Sequence, residues 1–256
     1  MCSKIVFGDL VLYPYGLLLS LGILVGMGLC LWFAPKNKMN REVVIDLLLC
    51  MVVGGVIGAK LLAVIVHLKD ILNGTMTILQ ALKVTVVYGG IIGALSACAV
   101  YCKKKTIDFW AYSDLCLSCV AITQGIGRLG CLMAGCCYGI EYSGIGAIIF
   151  ETSPYAPNGI SLFPSQLISS IFMLSFGLYC FIRCNQRKHN PGDIGSTYIL
   201  VYGLARSFIE FFRGDIARGF IFGMSTSQFI SIFFVALGVT AKIWLRKQRE
   251  NKKEKK

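Results

Sequence analysis

The chain has 256 residues, of which 56% are hydrophobic and only 15% are charged, and its mean hydropathy is +0.70. A soluble domain carries roughly a quarter charged residues, so this chain has too few charges to cover a water-facing surface, and we expect lipid to be the solvent for much of it. The formal net charge of +12 does not indicate nucleic-acid binding, because the basic residues lie in short clusters between apolar runs and in the tail.

Seven apolar runs approach the length of about 20 residues that a helix needs to cross a bilayer. In chain order they cover residues 15–34, 43–67, about 84–101, 107 to about 133, 164–182, 194–212 and 220–245. A glycine-rich, mildly acidic segment, residues 135–163, separates the fourth run from the fifth. The pattern predicts an all-α integral membrane protein whose single transmembrane domain covers residues 1–256.

The lysines and arginines of the connections predict the orientation, because they concentrate on the cytoplasmic side. One set of alternate connections, with the tail 246–256, holds sixteen of them: Lys36, Lys38, Arg41, Lys103, Lys104, Lys105, Arg183, Arg187, Lys188 and seven in the tail. The other set holds five: Lys4, Lys69, Lys83, Arg213 and Arg218. We therefore expect a cytoplasmic C-terminus with a basic tail, an N-terminus outside, and an outward-facing segment 135–163.

The opening of the third run, at Tyr88, Gly89 and Gly90 with Gly93 one turn later, has two interpretations. Small residues let helices approach closely, which is a packing role. Alternatively, the Tyr88 hydroxyl at the outer end of the span reaches a lipid headgroup.

Arg128 lies near the end of the fourth run, in the segment 127–139 that reads GRLGCLMAGCCYG. An ionisable group inside a membrane costs a few kcal/mol, so it marks a functional site by default. The four glycines of this segment, Gly127, Gly130, Gly135 and Gly139, permit positive φ and close backbone approach, and they can end a helix in a loop that lines a ligand. A guanidinium at such a break suits a phosphate. The alternative is that Arg128 pairs with a helix C-terminus or with Asp114.

The same segment contains Cys131, Cys136 and Cys137, with the spacing C-x4-C-C. Zinc sites commonly use C-x2–4-C pairs with further ligands, and vicinal cysteines do not easily both take unstrained ligand positions. Packing, or a disulfide that braces the loop, is therefore favoured over a metal site. We expect no metal and no cofactor.

The sixth run contains Arg206, Glu210 and Arg213, with Tyr202 one turn before the first arginine. Spacings of 4 and 7 place the three charged residues on one helical stripe. A carboxylate between two arginines holds both cations and leaves donors for an anionic ligand. The alternative is a structural ion-pair ladder between two helices.

Together these motifs resemble those of the bacterial prolipoprotein diacylglyceryl transferase family, in order and over nearly the whole chain. Tyr15-Gly16 opens the first span as a Tyr-Gly pair does in the family, and Tyr88-Gly-Gly-x-x-Gly resembles its His-Gly-Gly-x-x-Gly. The other three similar motifs are Gly127-Arg-Leu-Gly with Gly139 (Gly-Arg-x-Gly-Asn…Gly), Phe163-Pro-Ser-Gln-Leu (His-Pro-x-Gln-Leu) and Tyr202-x3-Arg206-x3-Glu210-Phe-x-Arg213 (Tyr-x3-Arg-x3-Glu-Phe-x-Arg).

The resemblance implies an enzyme of the bacterial cytoplasmic membrane that transfers a diacylglyceryl group from phosphatidylglycerol to the lipobox cysteine thiol of a preprolipoprotein. It implies that Arg206 steadies the leaving group or the thiolate, that Glu210 orients Arg206, and that Tyr88 and Tyr15 belong to the catalytic set. The phosphatidylglycerol-binding set that it implies is Arg128, Gly127, Gly130, Gly139, Tyr202 and Arg213. We expect the partners to be this lipid, the lipobox peptide and the bilayer, with no nucleic acid, and the protein to be a monomer.

Departures from the family pattern concentrate away from the arginines. Tyr88 replaces a histidine, and a phenol with a pKa near 10 is a poor base at neutral pH. Cys131 replaces an asparagine, Cys136 falls where the family often has an acidic residue, and Phe163 replaces a histidine. A paralogue that moves the same lipid group to another acceptor is therefore an alternative. A lipid transporter is less favoured, because the chain lacks the repeat symmetry common in transporters.

Overall fold

The computed structural model describes residues 5–7, 10–186, 189–215, 220–221 and 224–254. About three quarters of the chain is helical, so the protein is nearly all-α. Six basic residues counted for the predicted orientation lie outside the described residues: Lys4, Arg187, Lys188, Arg218, Lys255 and Lys256.

In chain order the helices of the described residues are α1 (Pro14–Lys36), α2 (Arg41–Val66), α3 (Leu68–Leu72), α4 (Ile78–Lys83), α5 (Val87–Lys105), α6 (Phe109–Ala134), α7 (Ser165–Gln186), α8 (Asp193–Glu210) and α9 (Thr226–Glu254). The seven long helices coincide with the seven predicted runs. The short helices α3 and α4 lie in the connection after the second run and were not predicted, because neither is long enough to show a hydrophobic period.

Short antiparallel hairpins complete the described structure, and none was predicted. They pair β1 (Ile5–Phe7) with β2 (Leu10–Leu12), β3 (Ile148–Ile149) with β4 (Ser161–Leu162), and β5 (Phe220–Ile221) with β6 (Met224–Ser225). Because the last hairpin occupies the beginning of the seventh predicted run, α9 begins at Thr226, six residues after the predicted start. α9 then continues past the predicted end at residue 245.

Five of the described helices are long and apolar enough to cross a membrane, namely α1, α2, α6, α7 and α9. The composition of these helices marks the chain as a membrane protein. Helices α5 and α8 are of comparable length, 19 and 18 residues, but their charged residues lower their apolar character. α5 ends in three lysines, and α8 contains Asp193, Arg206 and Glu210.

Residues 34–112 form one compact unit, in which glycines pack α2 against α5. A side chain at Gly58 would collide with the backbone of Gly89 and Gly93, and one at Gly54 would collide with Gly93 and Ala97. Small residues at such contacts let two helices approach closely in a membrane. The packing interpretation of the glycines after Tyr88 is confirmed.

The second unit comprises residues 1–33 and 113–256, and small residues also pack its α1 against α6. Gly22 and Gly26 leave no room for a side chain beside Thr123, whose hydroxyl donates to the Gly22 carbonyl at 3.0 Å. One turn further, the Cys30 thiol donates to the Leu115 carbonyl at 3.6 Å. Cys30 is fully buried and behaves as a small hydrophobic residue.

Asp114 of α6 caps the N-terminus of α8. Its buried carboxylate accepts the backbone N–H of Gly192 at 2.9 Å and that of Gly195 at 2.7 Å. His189 lies 3.6 Å from the same carboxylate. A negative charge at a helix N-terminus satisfies unpaired N–H groups and interacts favourably with the helix dipole. The alternative pairing of Arg128 with Asp114 is wrong.

The segment 135–163 is folded around a small core of its own. Phe150, Ala156 and Leu162 are buried together, and β3 and β4 pair beside them. Gly135, with a φ of +75°, ends α6. The expectation that a glycine of this segment ends the helix is confirmed at Gly135, but Arg128 lies within the continuous helix, six residues before its end, so the expectation that it lies at the break is wrong.

Candidate active site at the C-terminal end of α8

Arg206 and Glu210 form a buried ion pair in the last two turns of α8. The Arg206 Nη1 and Glu210 Oε2 atoms lie 2.6 Å apart, and the two side chains are only 12% and 7% exposed. The second terminal nitrogen of Arg206 donates to the Ser227 hydroxyl of α9 at 2.7 Å. The spacing of four residues correctly predicted that the two charges meet, whereas nothing in the sequence singled out Ser227.

The ion pair itself occupies the buried atoms of both side chains. Arg206 Nη1 and Glu210 Oε2 face each other at 2.6 Å, and neither makes a further hydrogen bond within the described part of the chain. Buried polar groups are nearly always paired in folded proteins. Glu210 and Ser227 therefore fix the Arg206 guanidinium in one position.

Arg213 lies three residues beyond the end of α8, so the predicted helical stripe holds only Arg206 and Glu210. Its guanidinium makes a bidentate pair with Asp215, at 2.8 and 2.6 Å, and lies 3.9 Å from Glu210. Burial lowers the pKa of Arg213, but the hydrogen bonds that its guanidinium donates to Asp215, with the negative charges around it, outweigh burial and raise the pKa above its ordinary value. Asp215 was missed by the sequence analysis, although it follows Arg213 by only two residues.

Gly139 joins the segment 135–163 to this end of α8 through the backbone. It forms an isolated antiparallel bridge with Arg213, and the adjacent Gly214 N–H donates to the Tyr138 carbonyl at 3.0 Å. A side chain at Gly139 would collide with the Phe163 carbonyl oxygen. The glycine is required here by close backbone contact, and its predicted role in lipid binding stays a prediction.

Arg128 is half-buried, and its charge acts on Arg206 and on the Cys137 thiol. Among the described residues, no carboxylate lies within ion-pair distance of Arg128. Arg206 and Arg213, in contrast, each have a carboxylate partner. The arrangement places three positive charges at one end of the unit, and Arg128 is the one among them that has no carboxylate partner in the described ranges.

The glycines on either side of Arg128 face α1. A side chain at Gly130 would lie 3.2 Å from the Tyr15 Cα atom, and one at Gly127 would lie 3.5 Å from the Leu19 side chain. Gly130 therefore lets the first turn of α1 approach α6, so that Tyr15 interacts with the charge of Arg128. A direct contact between these glycines and a lipid stays a prediction.

Two further residues of the predicted set are Tyr202 of α8 and Tyr88 of α5. Tyr202, one turn before Arg206, lies between α8 and α9, where its ring stacks on Tyr198 at 6.0 Å and meets Phe234 edge-on at 5.8 Å. Tyr88 is the second residue of α5 and belongs to the unit of residues 34–112. Its catalytic role stays a prediction.

The loop after α6 brings together the sulfur atoms of Cys131, Cys136 and Cys137, which lie within 4.8 Å of one another. No disulfide joins cysteines in the described ranges. Ser165 and Gln166, at the start of α7, hold the loop by donating to the Cys137 carbonyl at 2.9 Å and to the Cys136 carbonyl at 3.0 Å. The Pro-Ser-Gln part of the Phe163 motif is thus a support for the cysteine loop.

The charges around the loop favour a thiolate at Cys137. Sulfur hydrogen bonds from Cys131 and Cys136 lower the pKa of the Cys137 thiol, burial opposes them, and the positive charges of Arg213 and Arg128 lower the pKa further. The net direction is below the ordinary value. A thiolate is both the nucleophilic and the metal-binding form of cysteine.

Comparison with known proteins gives one consistent family. The family model of prolipoprotein diacylglyceryl transferase matches residues 3–244. A phosphatidylglycerol–prolipoprotein diacylglyceryl transferase of Clostridium tetani is 38% identical over 230 residues, which are 89% of this chain and 91% of the relative. Clostridium perfringens has two relatives with this name. Number 2 is 35% identical over 240 residues (92% of this chain, 93% of the relative), and number 1 is 29% identical over 245 residues (94% and 92%).

Proposed function

This chain belongs to the prolipoprotein diacylglyceryl transferase family, and we propose that it transfers the diacylglyceryl group of phosphatidylglycerol to the lipobox cysteine thiol of preprolipoproteins. The second product is glycerol phosphate. The names of relatives that align over about nine tenths of both chains support this assignment. The substrate partners are then the lipid and the lipobox peptide.

The observation that carries the proposal is Arg128, a half-buried cation without a carboxylate partner among the described residues, whose charge acts on Arg206. A guanidinium presents two parallel donors to a phosphate oxygen pair, and the single negative charge of the lipid phosphodiester supplies a counter-charge. Arg128 is therefore the binding group for the phosphate of phosphatidylglycerol.

Arg206 and Glu210 support the bond-breaking step. The acceptor thiolate attacks the terminal carbon of the diacylglyceryl group, the carbon–oxygen bond breaks, and the electron pair leaves on the phosphate oxygen. Donors held in advance toward that oxygen stabilise the developing charge. Glu210 fixes the direction of the Arg206 guanidinium through the ion pair at 2.6 Å, and Ser227 accepts from its second terminal nitrogen.

The other predicted residues have supporting roles in this proposal. Tyr15 lies beside Gly130 and within the field of Arg128, where its hydroxyl is available to the lipid headgroup. Tyr202 positions the helices around Arg206 by packing its ring against Tyr198 and Phe234. Arg213 connects the end of α8 to Gly139 through a backbone bridge. Tyr88 takes the position of the family's histidine in the sequence motif.

We propose seven spans, with the N-terminus outside and the C-terminus in the cytoplasm of a bacterium. Helices α5 and α8, at about 1.5 Å per residue, are roughly 27 Å long, which is close to the thickness of the hydrocarbon core. The excess of basic residues on one set of connections supports this orientation. Residues 135–163 then face outward, residues 246–256 form a cytoplasmic basic tail, and the protein acts as a single transmembrane domain and as a monomer, without nucleic acid.

Complementation of a bacterial strain depleted of its own transferase tests the function. We expect the wild-type chain to restore growth and lipoprotein maturation, and Arg128→Ala to restore neither. Arg246→Ala is the matched control, because Arg246 is an exposed arginine of α9 whose partner is Glu250; this variant should restore both. Full rescue by Arg128→Ala at equal membrane abundance would contradict the phosphate-binding role.

A purified assay separates the acceptor from the donor. The protein in phosphatidylglycerol vesicles should release glycerol phosphate only when a lipobox peptide with its cysteine is added, and a peptide with serine at that position should give no release. Glycerol phosphate released with the serine peptide, or only with another acceptor, would support the paralogue with a different acceptor. The two Clostridium perfringens relatives carry the same name, so the presence of a second copy does not by itself favour that alternative.

A further inference from the structure

Cys131, Cys136 and Cys137 are the one group of metal-binding side chains, among the residues described, whose ligand atoms lie close enough to share an ion. Their sulfur atoms lie within 4.8 Å of one another. Tetrahedral zinc with bonds of about 2.3 Å to sulfur holds its sulfurs about 3.8 Å apart. Small rotations of the side chains therefore close the triangle around an ion.

The backbone removes the objection that neighbouring cysteines cannot both bind one ion. Successive side chains of an extended chain point to opposite sides, but Cys137 has a φ of +59°, in the left-handed region. The turn brings its sulfur to the same side as that of Cys136. Ser165 and Gln166 hold the two carbonyls, so the loop has this shape without requiring a metal to form it.

The charge of the surroundings suits a site with three thiolates. Zinc with three thiolates has a net charge of about −1, and the positive charges of Arg128 and Arg213 act on Cys137. No additional carboxylate is needed for charge balance.

Three protein ligands leave the fourth position of a tetrahedral zinc ion open, which is the arrangement of catalytic sites and not of structural ones. The proposed transfer needs a thiolate acceptor, whereas a free thiol with a pKa near 8.5 is mostly protonated at neutral pH. The chain has Tyr88 in place of the family's histidine. A metal-bound thiol loses its proton outright, which supplies the nucleophile without a base.

We propose that Cys131, Cys136 and Cys137 bind a zinc ion and that its open position binds the acceptor thiol of the peptide. This inference rests on the proposed function for the identity of the acceptor. On binding, the thiol proton passes to water, and the sulfur then attacks the diacylglyceryl carbon as described above. The carbon–sulfur bond forms, the carbon–oxygen bond breaks, and the metal keeps its oxidation state.

Metal content and cobalt spectroscopy on the full chain in detergent test the site. After loading with zinc and removal of the excess, we expect about one zinc per chain in the wild type. Cys136→Ser and Cys137→Ser should each lose at least about nine tenths of it, while Cys50→Ser, a half-buried cysteine of α2, should keep it. Loaded with cobalt, the wild type should show sulfur-to-cobalt charge-transfer bands, and the lipobox peptide with cysteine, but not with serine, should shift them.

The outcomes separate this inference from the proposed function. Absence of zinc and of cobalt bands in monodisperse wild-type protein overturns the metal site, even if transfer is normal. Bands that the cysteine peptide leaves unchanged overturn the role in acceptor binding. Bands that respond to the peptide, without any release of glycerol phosphate from phosphatidylglycerol, support the thiol-binding site and contradict the proposed transferase reaction instead.

Discussion

The two ends of α8 both hold buried charges, but they differ in how completely these charges are paired. At the N-terminal end, Asp114 accepts two backbone N–H groups from Gly192 and Gly195. At the C-terminal end, Arg206 and Glu210 pair with each other at 2.6 Å, but the neighbouring Arg128, whose charge acts on Arg206, has no carboxylate partner among the described residues.

The difference shows which buried charges of a membrane protein indicate function. A charge in a membrane helix is expensive, and both ends of α8 meet that criterion. What distinguishes the C-terminal end is the neighbouring Arg128, whose charge acts on Arg206 and which has no carboxylate within ion-pair distance among the described residues, so this end can take an anionic ligand. Whether a buried charge already has partners within the protein is thus a better indicator of a ligand site than its position in an apolar run.

The largest expected effect is that of Arg206→Ala. Removing a donor that stabilises developing charge lowers kcat/KM by about 100- to 1000-fold. The change also leaves Glu210 buried without its nearest cation, which lowers the free energy of unfolding by roughly 3 kcal/mol. Glycerol phosphate release and thermal unfolding in detergent measure the two effects.

A double variant separates the two effects of this change. Arg206→Ala with Glu210→Ala removes both buried charges, so it should recover most of the lost stability while its activity stays at the level of the single variant. If activity returned together with stability, Arg206 would be a structural residue and the C-terminal end of α8 would resemble the N-terminal end.

A smaller effect is expected at the opposite end, for Asp114→Asn. The amide keeps one acceptor oxygen, so one of the two capped N–H groups loses its partner in a buried position, which costs about 1 to 2 kcal/mol of unfolding free energy. Activity per folded molecule should change less than twofold, because Asp114 binds the N-terminus of α8, at the opposite end from Arg206.

The control for the capping site is Asp108→Asn. Asp108 accepts the Trp110 N–H in an exposed position at the start of α6, so its replacement should cost less than about 0.5 kcal/mol. A loss of activity in Asp114→Asn that exceeds its loss of folded protein would contradict the purely structural role of this end.

The sequence predicted the long helices well, because each is an apolar run bounded by charged or turn residues. It also predicted that Arg206 meets Glu210, since a spacing of four residues is decided within one helix. It did not predict that Asp114 caps a helix 78 residues away in sequence, or that the Ser227 hydroxyl accepts a hydrogen bond from Arg206. Such contacts depend on which helices are neighbours, and a hydrophobic period carries no information about that.

Within the segment 127–139, too, the sequence did not predict which contact each residue makes. Its glycines were expected to break the helix around Arg128, yet Gly130 serves contact with Tyr15, Gly139 serves contact with Phe163, and the break comes at Gly135. A glycine in the sequence permits either a turn or a close approach. Only the neighbouring element decides which of the two is used.

The smallest expected effect is the pH dependence of the N-terminal end of α8. Burial lowers the pKa of His189 below 6.5, the Arg183 carbonyl and the Asp193 carboxylate oppose burial, and the Arg183 charge adds to it. Since protonation is then harder in the folded state, the contribution of His189 to stability is complete above pH 6.5 and declines as the pH falls through 6.5 toward the lower folded-state pKa.

Thermal unfolding between about pH 7.5 and about pH 5.5, the range in which histidine titrates, measures this dependence. His189→Gln should flatten the slope, whereas His67→Gln, in the other unit, should leave it. The Asp114 carboxylate lies 3.6 Å from the His189 ring and would attract a protonated imidazole. A wild-type Tm that rises as the pH falls, with a slope that His189→Gln removes, would mean that this attraction exceeds the cost of burying the charged ring.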